Sequence, residues 1–222
     1  MTGRTVVRIG GAVYTRINQM KIKNNDAMGK VRKLVEELNT LPASEHKKLF
    51  ASIDLVSPRY LNVQGFNPRG NVETDVNFQR SFNAFYQVRR NAAWRKHFYC
   101  LFAQLRKPSM GKHRNFQYIL NELHVRTGMW EYSFSTKLLH TLDPMQPIID
   151  KRVLTLLCLP KKNWKTTEPF LEHYREVAQS IAYLAKKTKR LLRDFDRTLP
   201  HLKHISVTKK LDLILWRYRR EL

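Results

Sequence analysis

The chain is poor in cysteine. Cys100 and Cys158 are the only two thiols among 222 residues. Two are too few for a disulfide framework, a four-thiolate zinc site or an unaided iron–sulfur cluster. Both lie in apolar stretches, which predicts buried, reduced thiols and a cytoplasmic setting. Glycine (8) and proline (9) are also scarce, which excludes collagen-like, glycine-linker and low-complexity chains. No apolar run approaches the roughly 18 residues of a membrane span. Val153–Leu159 is interrupted by Thr155, and no membrane partner is expected. Residues 1–23 have no acid and carry Arg4, Arg8 and Arg16, but they lack the apolar core of a signal peptide. No phosphate-cradling GxxxxGK[ST] loop and no GxGxxG turn occurs, and Gly10-Gly11 is too short a signal to use. His97, His113, His124 and His140 have no consistent metal-ligand spacing. No cofactor and no metal are expected.

Acidic residues are the most telling shortage. Asp and Glu number 18 against 41 Lys and Arg, a formal charge of +23. Self-repulsion of this size opposes compaction, so it points to a partner of opposite sign. A polyanion is the simplest such partner, a nucleic acid before an acidic membrane surface. From Arg89 to Arg126 there are nine basic residues (Arg89, Arg90, Arg95, Lys96, Arg106, Lys107, Lys112, Arg114, Arg126) and one acid, Glu122. A second acid-free stretch runs from Lys151 to Lys165. A charge run on a helix is often only a solvated face. Two of them flanking one helix–turn–helix unit suggest a DNA-facing surface.

What is plentiful is helical periodicity. Met28, Val31, Leu34, Val35 and Leu38 form one stripe, ending near Pro42. A short helix is expected over 44–55, then a connection over 57–68 punctuated by Pro58, Gly65 and Pro68. Phe78, Phe82, Phe85 and Tyr86 share a face. Trp94, Phe98, Leu101, Phe102 and Leu105 share another, closed by Pro108. Phe116, Ile119, Leu120 and Leu123 lead to Gly128, placed as a helix C-cap. A helix over 131–142 stops at Asp143-Pro144. Asp150 is placed as the N-cap of 151–157. Further helices are expected over 168–187, around Leu191–Phe195, and from Ser206 through Tyr218. Only Val6–Ile9 hints at a strand. The expectation is an all-α protein of about ten helices, with an N-terminal helical region (1–68) and a helical core with C-terminal helices (69–222).

The most specific segment runs from Thr127-Gly128-Met129-Trp130-Glu131-Tyr132 through Pro144 and Pro147 to Ile148-Ile149-Asp150-Lys151-Arg152-Val153. It reads as helix, tight turn, helix, proline-stiffened loop, then an aspartate opening a helix. Backbone N–H groups at the turn could hold a phosphate oxygen. This segment resembles the core of the helix-hairpin-helix (HhH-GPD) DNA glycosylase superfamily, as a divergent member. Gly128 falls in the hairpin, Phe134-Ser-Thr-Lys-Leu-Leu occupies its second helix, and Ile148–Val153 matches the aspartate segment. The likeness covers about residues 78–159. The hairpin here has one glycine where that family has two. Phe82–Asn91 and Lys209–Trp216 further resemble an uncharacterised prokaryotic family, which implies no function.

The resemblance implies a multi-helix glycosylase-like fold and monofunctional hydrolysis of an N-glycosidic bond, with Asp150 as the catalytic carboxylate. The place of a Schiff-base lysine is taken by Trp130 or Glu131, and Lys137 lies deeper in the helix. Trp130 and Tyr132 are expected in the base pocket, with Glu131 hydrogen-bonding the base. Thr127, Gly128, Met129, Arg89, Arg90, Lys112, Arg114, Arg126, Lys151 and Arg152 are the expected contacts to duplex DNA. Each has a plainer reading: Asp150 as an ordinary cap, Trp130 as core, Glu131 as a helix-dipole partner. The alternative function is a non-catalytic nucleic-acid-binding helical protein. A basic structural protein associated with RNA is a third.

Overall fold

A computed structural model describes residues 25–67, 70–159 and 165–218. The expected strand at Val6–Ile9, the Gly10-Gly11 pair and the basic N-terminal residues lie outside the described residues. All regular structure among the described residues is helical. The helices are α1 (Asn25–Thr40), α2 (Ala43–Asp54), α3 (Ser57–Gln64), α4 (Val76–Tyr86), α5 (Ala92–Arg106), α6 (Phe116–Thr127), α7 (Tyr132–Leu142), α8 (Lys151–Leu156), α9 (Thr167–Lys187), α10 (Lys189–Thr198) and α11 (Val207–Arg217). None of them is long and apolar enough to cross a membrane.

The helix starts follow local chemistry. Asp75, Asn91, Asn115, Asp150 and Ser206 each accept a backbone N–H three residues on, satisfying a donor that the first turn leaves unpaired. Segment 57–68 differs from the expectation. Instead of a plain connection it begins with helix α3, because Pro58 falls in the first helical turn, where its missing N–H costs nothing. Gly128 ends α6 with φ +70°, the left-handed conformation that favours glycine.

Packing centres on α11. It lies against α2, α8, α9 and α10, and every residue from Lys209 to Leu215 is buried. Helix α1 rests on α9 and α10, α3 on α4, and α6 on both α5 and α7. Phe78, Phe82, Phe98, Tyr99 and Phe102 form an aromatic cluster between α4 and α5. The buried apolar residues from Val31 to Leu215 belong to one continuous core. The expected boundary at 68–69 lies outside the described residues, and the helices on either side of it share that core. Cys100 and Cys158 are free and partly exposed rather than buried.

Candidate active site

The loop between α7 and α8 is fixed from several sides before it delivers Asp150. Ser206 Oγ donates to the Pro144 carbonyl, and Thr208 Oγ1 to the Met145 carbonyl at 3.1 Å. Tyr174 Oη donates to Gln146 Oε1 at 2.8 Å. The Ile149 N–H donates to Thr136 Oγ1 at 3.1 Å. His140 is fully buried, and its Nδ1 lies 2.7 Å from the Gln146 carbonyl. Burial, then the nearby Lys209 charge, push the imidazole down to about 3, so it is neutral near pH 7 and donates from Nδ1. Asp150 Oδ1 accepts the Val153 N–H at 2.9 Å, which orients the carboxylate.

Asp150 faces a cavity of about 310 Å³. Phe85, Tyr86 and Gln87 border it from the end of α4, Lys137 from α7, Lys151 and Arg152 from α8, and Lys209, Asp212 and Trp216 from α11. Lys137 Nζ donates to the Tyr86 carbonyl at 3.2 Å and sits 5.0 Å from the centre of the Phe134 ring. Lys209 Nζ pairs with Asp212 Oδ2 at 2.6 Å, and the two side chains are 1% and 10% exposed. The same ammonium lies 4.6 Å from the centre of the Tyr60 ring and 4.8 Å from that of Phe85. Arg152 Nη1 donates to the Trp216 carbonyl at 2.7 Å, and its guanidinium lies over the Trp216 ring. Gln87 ends α4 with φ +53°, a left-handed conformation rare for a residue with a side chain.

Six charged side chains therefore border one space, and four of them, Lys137, Asp150, Lys209 and Asp212, lie close enough to act on one another's charge. Burial raises the Asp150 carboxyl above its ordinary range, and the Asp212 charge adds to this. The Val153 N–H, Lys137 and the Arg152 N–H oppose the shift. Burial lowers Lys137, against the pull of Asp150 and Asp212 and with help from Lys209. A carboxylate held in this way combines fixed geometry with a protonation state set by its neighbours, the combination that acid–base and electrostatic catalysis use.

Trp130, Glu131 and Tyr132 do not line this cavity. Trp130 stacks on His124 at 3.8 Å between ring centres and leans on Phe170. Tyr132 Oη lies 3.1 Å from His173 Nδ1, with its ring against Phe116. Glu131 is 4% exposed; it accepts from Arg90 at 3.0 Å and from the Trp94 indole N–H at 2.8 Å. Lys137 is five residues beyond Tyr132, roughly 140° around the helix at 3.6 residues per turn. Replacing Glu131 by Ala is expected to cost about 3 kcal/mol of folding stability, because Arg90 and the buried Trp94 N–H lose their acceptor. Chemical denaturation measures this. Any activity per folded molecule should be unchanged, and a selective loss of activity would return Glu131 to the site.

The expected DNA contacts divide. Arg90 is held by Glu131. Arg114 donates to the carbonyls of Leu105, Arg106 and Lys107, closing the end of α5. Arg126 is paired with Glu122 and Gln104, and Arg152 is tied to α11. Arg89, Lys112 and Lys151 are exposed and have no ion pair to a described carboxylate. At the turn, the Gly128 N–H donates to the His124 carbonyl at 2.8 Å and the Met129 N–H to Thr127 Oγ1 at 3.3 Å. Those two amides are thus bonded within the turn, and Gly128 is not among the residues around Asp150.

Two further clusters of reactive side chains lie outside this cavity. Ser57, His201 and Asp54 approach one another, but both partners meet the same imidazole nitrogen, Nε2. Ser57 Oγ also donates to the Asp54 carbonyl. This is not the relay through two ring nitrogens that activates a nucleophilic serine. Cys100 lies beside Arg126 and Gln104, and neither of these described neighbours is a base that could activate it.

Sequence reading gave Lys209, Asp212 and Trp216 no site role, although segment 209–216 resembles an uncharacterised family. Their physical signal is a pair of charges, Lys209 and Asp212, placed on the same helical face as Leu213 and Trp216, where a buried stripe calls for apolar residues. Comparison with protein-family models, curated proteins and solved structures finds no match.

Proposed function

We propose that the protein binds duplex DNA, receives one extruded nucleotide in the cavity beside Asp150, and hydrolyses its N-glycosidic bond. One observation carries this reading: a rigidly presented carboxylate opens onto a cavity that is aromatic on one side and cationic around it. Its volume of about 310 Å³ is at the small end for ligand pockets and suits a single heterocycle. The likeness of residues 78–159 to the helix-hairpin-helix glycosylases supports the same reading. The fold would then be a divergent version of theirs.

In this chemistry the bond between the sugar C1′ and the base nitrogen breaks. The electron pair leaves with the base, which takes up a proton. Positive charge grows on the sugar, and the Asp150 carboxylate stabilises it. A water molecule adds to C1′ and gives a proton to Asp150, which releases it to solvent, and solvent supplies the proton that the base takes up. Phe85, Tyr86 and Trp216 take the place expected of Trp130 and Tyr132 in receiving the unstacked base. Arg89, Lys112 and Lys151 face the phosphates. The exposed charge alone also supports a narrower reading, nucleic-acid binding without chemistry.

A panel of duplexes carrying alkylated, deaminated or oxidised bases, scored for free base, separates the two. The proposal expects free base from at least one duplex. Binding should also weaken about a thousandfold from 50 to 200 mM salt if six phosphates are contacted. Salt-sensitive binding without base release supports the narrower reading. Salt-insensitive binding contradicts both.

A further inference from the structure

Asp212 is a cavity carboxylate that the proposed chemistry leaves unused. Its Oδ2 is held by Lys209 at 2.6 Å. Its other oxygen, Oδ1, accepts no hydrogen bond from a described residue. The residue lines the cavity together with Asp150 and Lys137. The Lys209 pair holds the carboxylate in place, and the ammonium that holds it is itself seated among the Tyr60 and Phe85 rings.

A sheltered acceptor that faces a small cavity sets a condition on whatever enters. An occupant displaces the water there and must return its hydrogen bond, or else strand a charged oxygen. Lys137 sets the opposite condition. One of its N–H groups is used on the Tyr86 carbonyl, and the others are free to donate. Two carboxylates could also suggest a metal ion, but here two ammonium groups stand beside them. The better match is a flat ring that has both an N–H donor and ring-nitrogen acceptors, slotted against Phe85 and Trp216.

We propose that Asp212 determines specificity in this cavity: its free carboxylate oxygen accepts a hydrogen bond from an exocyclic amino group, selecting amino-bearing heterocycles over those that lack one. The proposal rests on the cavity being a base pocket, and it names the class of base. Asp150 acts on the sugar side, and Asp212 reads the edge of the ring.

The test uses the full chain with adenine and purine as probes, which differ only by the exocyclic amino group. Binding is followed through the carboxyl carbon resonances of aspartate-labelled protein. Adenine is expected to shift the Asp212 resonance and to bind at least about tenfold more tightly than purine, the scale of one hydrogen bond to a charged acceptor. In Asp212→Asn the amide oxygen turns to the Lys209 ammonium and the NH2 donor takes the place of the free oxygen, so that preference should fall to within about twofold. Equal binding of the two probes to the wild type overturns the proposal. So does an unmoved Asp212 resonance, or a preference that survives in Asp212→Asn. Should that variant fail to fold, the wild-type comparison decides by itself. Adenine preference without base release from any duplex leaves this recognition standing and rejects excision. Base release with no amino preference rejects the recognition alone.

Discussion

Replacing Asp150 by Asn is expected to slow base release about a thousandfold or more while the protein melts no lower at neutral pH. Both halves follow from one feature. The Asp150 carboxyl is raised by burial and by Asp212, so the fold favours its protonated form. Stability from such a group is present below the ordinary carboxylate pKa and is lost as pH rises through the raised value. At pH 7 the ionised carboxylate is therefore a standing cost to the fold. Asparagine removes that charge and can still accept the Val153 N–H, because it caps helices as well as aspartate does. Wild type and variant should converge in melting temperature as the pH falls. The proposed chemistry needs the ionised form, so the rate is expected to rise with pH through a midpoint above the usual carboxylate range. A rate already flat at pH 4 contradicts this.

The second large effect concerns the pair beneath the cavity. Lys209→Met should cost about 3–5 kcal/mol, since it leaves the Asp212 carboxylate buried beside Asp150 without its counter-charge. Removing both charges, as Lys209→Met with Asp212→Leu, should recover most of that loss. Methionine packs well among the Tyr60 and Phe85 rings. Denaturation of the two single variants and the double variant gives the coupling energy directly. If the single and double changes are equally costly, the ion pair is not the reason these charges tolerate burial. If the double variant is the more stable but recognises no base, the pair is kept for the site and not for the fold.

How much of this was legible depended on distance along the chain. The helices and their ends were local facts. Asp150 could be placed as a cap, Gly128 as a left-handed terminus and Pro108 as a stop, because each acts on neighbours within a turn or two. The helix within 57–68 is not legible in the sequence because proline marks both loops and first helical turns. Within the site, Asp150 was legible as a fixed carboxylate. Its surroundings were not. Lys209 and Asp212 lie on α11, about sixty residues further along, and only the packing of α11 on α8 brings them to Asp150. The residues nearest the turn in sequence misled for the same reason. Trp130, Glu131 and Tyr132 sit on the part of the hairpin that packs against α5, α6 and α9. There an aromatic stack and the ion pair of buried Glu131 with half-buried Arg90 use them for stability. A basic residue read from sequence carries no record of whether its charge is spent indoors. Arg114 and Arg126 are, whereas Arg89 and Lys112 are not.

The measurement that bears most directly on the central claim is single-turnover release of free base at saturating protein, for wild type and Asp150→Asn on the same responsive duplex. The prediction is release by the wild type, near-complete loss in the variant, and equal affinity for the duplex. Release by the variant at the wild-type rate, or no free base from any duplex with the wild type, contradicts it.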